Sequence, residues 1–133
     1  MGEDLVFSVM GTKVSVSKSI VRRIVTTELS PLPHWEASDY LSTEEVEAFF
    51  GGASGSQLMK RIAKYILFYA ENIVFATFLL LLAGEGKGRA EEYVDRHMGL
   101  LRALRRIVDK DEVRREDVEE MIGLCLRHGI DPF

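Results

Sequence analysis

The chain is poor in side chains that cross-link, ligate or catalyse. It has one cysteine, Cys125, so no disulfide can close within it. It has one tryptophan, Trp35, one glutamine, Gln57, and one asparagine, Asn72. The opening residues Met1 to Asp4 are acidic and no apolar stretch follows them, so no secretory leader is expected and a reducing, cytoplasmic location is. Positive charge is short as well: 17 Lys and Arg stand against 21 Asp and Glu, for a net charge of −4. That excludes broad, sequence-independent wrapping of nucleic acid, which needs many cations to displace phosphate counterions. Amides are scarce and Arg exceeds Lys by eleven to six, a bias expected of a thermophilic protein.

Catalytic patterns are missing too. Gly84-x-Gly86-x-Gly88 lacks the Gly-Lys-Ser/Thr ending of a phosphate loop and follows a helical pattern, so it reads as a helix–helix turn. No nucleophile elbow and no His-led triad is readable. No Glu-x-x-His pair exists, which argues against a di-iron carboxylate bundle. Cys125 and His128 have i, i+3 spacing on one predicted helix, with His97 on the helix before it, and could in principle ligate a metal. Cys125 fits an apolar stripe and His128 a helix end, so packing and capping explain them better. No metal, no cofactor and no enzymatic activity is expected, and His97→Ala or His128→Ala should leave the structure nearly unchanged.

What the chain has in quantity is apolar helix. Gln57 to Ala83 opens with Lys60, Arg61 and Lys64, then turns apolar on nearly every face from Tyr65 onward, broken by Glu71, Asn72 and Thr77. A helix apolar all round must be covered on all sides by a core, an oligomer or a bilayer. Tyr65 to Ala83 approaches the length of a membrane span. Glu71 and Asn72 sit inside it, and charge there is costly, so a core or oligomer helix is the preferred reading and a membrane location is not expected. Phe68, Phe75, Phe78, Leu79 and Leu82 are the candidate interface to a protein partner or a second copy. An obligate interface there would bury more than roughly 2,000 Å². Truncating Phe75 or Leu79 to alanine is expected to open a core cavity at about 2–5 kcal/mol.

The remaining pattern organises around this segment. Leu5, Phe7 and Val9 alternate with other residues up to Gly11, and Val14 and Val16 alternate after it, which predicts a hairpin. Ser17 or Ser19 can cap a short helix carrying Ile20, Val21, Ile24 and Val25, ended by Pro31 and Pro33. Residues 30–41 form a loop with His34 and Trp35. Ser42-Thr43-Glu44-Glu45 is a capping box for a helix with Val46, Phe49 and Phe50 on its apolar side. Ser54 or Ser56 can cap the long helix. Tyr93, Val94, His97, Leu100, Leu101, Leu104, Ile107 and Val108 stripe the next helix, and Val118, Met121, Ile122 and Cys125 the last. The expected fold is mainly α: a helical bundle around one long apolar central helix, with a short N-terminal β-hairpin. One domain over 1–133 is expected, divided into a hairpin (1–18), short helices and loops (19–56) and a three-helix core (57–133).

Two basic clusters are candidate nucleic-acid contacts. Arg102, Arg105 and Arg106 share one helix side opposite the apolar stripe, with no acid between Arg96 and Val108. Lys60, Arg61 and Lys64 open the central helix. Both suit phosphate oxygens, although no aromatic residues interleave for base stacking. Val14 to Ile24 resembles the strand-to-helix signature of swapped-hairpin transcription factors of the AbrB type, with Ser17 where that family has proline. That likeness implies a DNA-binding regulator using Arg22 and Arg23. The leading expectation is a non-catalytic protein-interaction or assembly subunit, for example a small helical subunit of a nucleoprotein complex such as a CRISPR effector. The regulator is the alternative, and a small oligomeric enzyme the third.

Overall fold

The computed structural model describes residues 4–26, 40–53 and 55–133. Alternating apolar residues form the predicted hairpin: β1 (Asp4–Val9) pairs antiparallel with β2 (Thr12–Ser17), setting Leu5 opposite Val16 and Phe7 opposite Val14. Met10 and Gly11 make the two-residue turn with φ of 50° and 79°, the left-handed geometry that matches strand twist. Leu5, Phe7, Val9 and Val16 are buried. The hairpin is followed directly by α1 (Lys18–Val25), whose first turn is capped by the Ser17 hydroxyl accepting from the Ile20 N–H at 3.3 Å. This phase turns Val21, Ile24 and Val25 inward and leaves Ile20 exposed, where the sequence pattern had grouped it with them.

The capping box at the start of α2 (Thr43–Phe50) is complete. The Glu45 N–H donates to the Ser42 hydroxyl at 3.1 Å, and the Ser42 N–H donates to the Glu45 carboxylate at 3.0 Å. The long helix α3 (Ser56–Gly84) follows, with Gly55 at its cap position and no side-chain cap. Ser54 lies outside the described residues, as do His34 and Trp35. Only Glu85 and Gly86 separate α3 from α4 (Lys87–Val108), a tighter turn than the Gly84–Gly88 loop expected. Gly86 has φ of 95°, which a side chain would resist. So short a link forces α3 and α4 into an antiparallel hairpin.

Helix α5 (Arg115–Arg127) closes the body by packing on α3, α4 and β1. Its predicted stripe of Val118, Met121, Ile122 and Cys125 is buried. Two polar contacts lock it to the hairpin. The Arg115 guanidinium donates to the Val6 carbonyl at 2.7 Å, and the Ser8 N–H donates to the Glu119 carboxylate. The open edge of β1 is thus covered by its own chain. The fold is the expected one: mainly α, built around the long central helix, with an N-terminal hairpin. Its core joins the first half of α3, α1, α5 and the second half of α4, with the hairpin packed on α1 and α5.

Candidate functional site

Helix α3 has two unlike halves. In the first, Leu58, Met59, Ile62, Ala63, Ile66, Leu67 and Ala70 are all buried. In the second, Val74 is buried but Phe75 is 60% exposed, Leu79 46%, Leu80 74% and Leu82 41%. Ala76 among them and Ala83 just after them are exposed too. The cause is architectural. Beyond Ala70 the helix runs past the body, and α4 is the element left beside it. Gln57–Gly84 is long and apolar enough to cross a membrane by length and composition, with a mean hydropathy of 2.1, and its most apolar stretch is 17% buried.

Of the candidate interface, Phe75, Leu79 and Leu82 therefore lie at the surface, whereas Phe68 and Phe78 are half-buried. The expectation that Phe75 and Leu79 fill the core is corrected: no cavity opens when an exposed side chain is shortened. Leu80, the most exposed of the set, was not singled out by the sequence because every position in that run looks alike.

One ion pair shows how the face continues onto α4. The Arg105 guanidinium meets the Glu71 carboxylate at 2.7 Å, so those two residues mark facing edges of α3 and α4. Phe75, Phe78 and Leu82 follow Glu71 at i+4, i+7 and i+11, and so share its edge. Leu101, Met98 and Val94 precede Arg105 at the same intervals and are half-buried. Six apolar side chains thus border one groove between the two helices, forming an apolar ledge rather than a single stripe.

The basic clusters separate on inspection. Lys60 caps the end of α4, its ammonium donating to the Val108 carbonyl at 2.5 Å and the Lys110 carbonyl at 2.6 Å. Arg61 is 2% exposed, with its guanidinium 4.7 Å from the Tyr40 ring centre. Lys64 is half-buried. The surface cluster expected from Lys60, Arg61 and Lys64 is corrected accordingly: Arg61 lies in the core because α1 and the chain around Tyr40 close over the first turns of α3. Arg102 and Arg106 are exposed on α4, and Arg105 is held by Glu71.

The structure joins two residues that the sequence placed on separate helices. His97 and His128 face each other with their Nδ1 atoms 2.9 Å apart, one donating and the other accepting, which ties α4 to the end of α5. The Tyr93 ring packs 4.4 Å from the His97 ring centre. Burial, then His128, then Arg96 hold the His97 imidazole below the ordinary histidine value. The two histidines thus contact each other across α4 and the end of α5, the point at which the expectation that His97→Ala or His128→Ala is silent can be tested. Cys125 is buried nearby in sequence, and burial pushes its thiol up to about 11, leaving it protonated and unreactive. Among the described residues no group of three His, Cys, Asp or Glu could hold a metal ion.

The concave features are shallow. A cleft of about 230 Å³ lies between Phe49 and Met59 on one side and Glu112 to Arg115 on the other. Another, of about 400 Å³, is lined by Asp4, Ser17, Lys18, Ser19, Arg22 and Glu47. Neither contains a histidine, and in the second Lys18 is paired to Glu47 at 2.5 Å. The chain matches no protein-family model, no curated protein and no solved structure.

Proposed function

We propose that this chain is a non-catalytic assembly subunit, docking a protein through the exposed apolar face on the second half of α3. The observation that carries the reading is the exposure of Phe75, Leu79, Leu80 and Leu82 on one rigid helix. A contiguous apolar patch of this kind marks an interaction surface. Protein is favoured over lipid by the neighbouring helix. Arg89, Glu91, Glu92, Asp95 and Arg96 are exposed on the half of α4 that runs beside this face. Sinking the face into a bilayer would carry those charges toward hydrocarbon at roughly 2.5–3.5 kcal/mol each near the centre. The swapped-hairpin regulator receives less support, because β1 already rests on α5 of its own chain. If nucleic acid is part of the assembly, Arg102 and Arg106 are its contacts, and two phosphates give a salt slope of only about −0.9 each on duplex DNA.

A photo-cross-linkable side chain at position 80, introduced into the chain inside cells, tests the reading. A covalent adduct with protein is the expected result, with none from the same group at position 89 on the charged side of α4. Adducts with lipid, or no adduct at position 80, would overturn it.

A further inference from the structure

We infer that His97 and His128 form a proton-operated latch, which holds the end of α5 and the chain after it on α4 and lets go in mild acid. The two imidazoles meet with their Nδ1 atoms 2.9 Å apart. A neutral imidazole has one N–H and one bare nitrogen, so one ring donates at Nδ1 and the other accepts there. A first proton can be taken up at the donor ring's far nitrogen, and the bond survives. A second proton has to enter on the acceptor's Nδ1, where it sets N–H against N–H and cation against cation. The contact therefore exists with no added proton or with one, and breaks with two. The rings titrate as a pair.

The surroundings supply no carboxylate to offset the second charge. Burial, then His128, then Arg96 work against a charge on His97, and no acidic group bears on it. Beside it on α4, Tyr93 packs its ring at a centre-to-centre distance of 4.4 Å. Helix α3 has no ionisable side chain between Glu71, which is paired to Arg105, and Glu85. On the α5 side, Cys125 is buried with its thiol pushed up to about 11, and Arg127 is exposed. Beyond the helix, Asp131 accepts from the Phe133 N–H at 3.1 Å.

What the latch holds is local. Among the described residues it is the one side-chain hydrogen bond between α4 and the end of α5. After His128 the chain turns at Gly129, with φ of 74°, and the Ile130 N–H donates back to the Cys125 carbonyl at 2.9 Å. Ile130 is buried and Phe133 packs half-buried on the core. Both follow closely on His128, so its departure from α4 loosens both. The start of α5 is fastened without an imidazole: the Arg115 guanidinium donates to the Val6 carbonyl at 2.7 Å. Mild acid therefore opens the tail while the rest of α5 stays docked, a local opening that costs less than unfolding. Opening takes up one extra proton, so its equilibrium constant rises about tenfold per pH unit below the ordinary histidine value of about 6.5.

Hydrogen exchange of the full chain, followed amide by amide by NMR, tests the latch. The Ile130 amide reports the tail, and the Ile122 amide, on the buried face of α5, reports the helix. After correction for intrinsic rates, the protection of Ile130 relative to Ile122 should be about tenfold lower at about pH 5.5 than at about pH 7.5. His128→Gln keeps a side chain that can donate or accept but takes up no proton. Its protection ratio should be the same at both pH values. An unchanged ratio in the parent chain, with both amides protected alike or losing protection together, overturns the proposal. An equal fall in His128→Gln also overturns it, because the titrating group then lies elsewhere.

Discussion

The half of α3 that carries Lys60, Arg61 and Lys64 is the buried one, and the half that is almost wholly apolar is the exposed one. Ile66 and Leu67 are buried, while Leu79 and Leu80, thirteen residues on in each case, face outward. Nothing in the side chains themselves separates them. The difference is how many elements reach each half. The first half of α3 packs with α1, α5 and α4 in one core, which the hairpin completes through α1 and α5; around Leu79 the helix has α4 on one side. The same apolar surface is a core where the chain can fold back over it and a docking face where it cannot. Hydrophobicity states that a helix must be covered; topology decides who covers it.

Breaking the enclosed half should have the largest effect. Ile66→Ala and Leu104→Ala both truncate fully buried side chains, and each is expected to cost about 2–5 kcal/mol in chemical denaturation. If either melts like the parent chain, the core has been misplaced. The α4–α5 contact comes next. His97 is held below its ordinary value, so the fold favours the neutral imidazole and the unfolded chain binds the extra proton. Its stabilisation is full above about pH 6.5 and is lost as pH falls through the folded value. Melting temperatures at neutral and mildly acid pH should differ more for the parent than for His97→Gln. Equal differences would remove the histidine pair from the account. Asp117 acts in a lower window: the Arg114 N–H at 2.9 Å and then the Lys110 ammonium hold its carboxyl below the usual range. Its contribution is present above its ordinary value near 4 and fades as pH drops further.

Smaller again is the cap of α2. Ser42→Ala removes the hydroxyl that accepts from Glu45 and should cost about 1 kcal/mol. At the bottom of the scale, Leu80→Ser changes a side chain that the folded monomer leaves bare. At concentrations where the chain is monomeric, its unfolding should shift by no more than about 0.5 kcal/mol.

Much of the fold was legible from local chemistry. The period-2 alternation around Gly11, the Ser42–Glu45 box and the stripes on α4 and α5 are short-range signals, and each element formed where its signal lay. The phase of α1 was not legible, since Ser17 and Ser19 both offered caps and only one set the helix rotation. The candidate site was half legible. Its location on the apolar helix followed from composition, but the division between Ala70 and Phe75 depends on where α1 and α5 stop covering α3, which no local pattern encodes. For the same reason Arg61 read as a surface cation. A guanidinium beside Lys60 and Lys64 looks solvated until Tyr40 closes over it. The His97–His128 contact joins residues 31 apart and depends on how α5 folds back on α4.

The central claim is that one half of α3 is core and the other is surface, and a matched pair of charge substitutions tests it most directly. Ile66→Asp and Leu79→Asp place the same carboxylate on the same helix, thirteen residues apart. Circular dichroism and thermal unfolding of both at low concentration should show Ile66→Asp unfolded, because it buries an unpaired charge. Leu79→Asp should retain the native spectrum and melting temperature. Loss of the fold by Leu79→Asp to the same degree as Ile66→Asp would contradict the account.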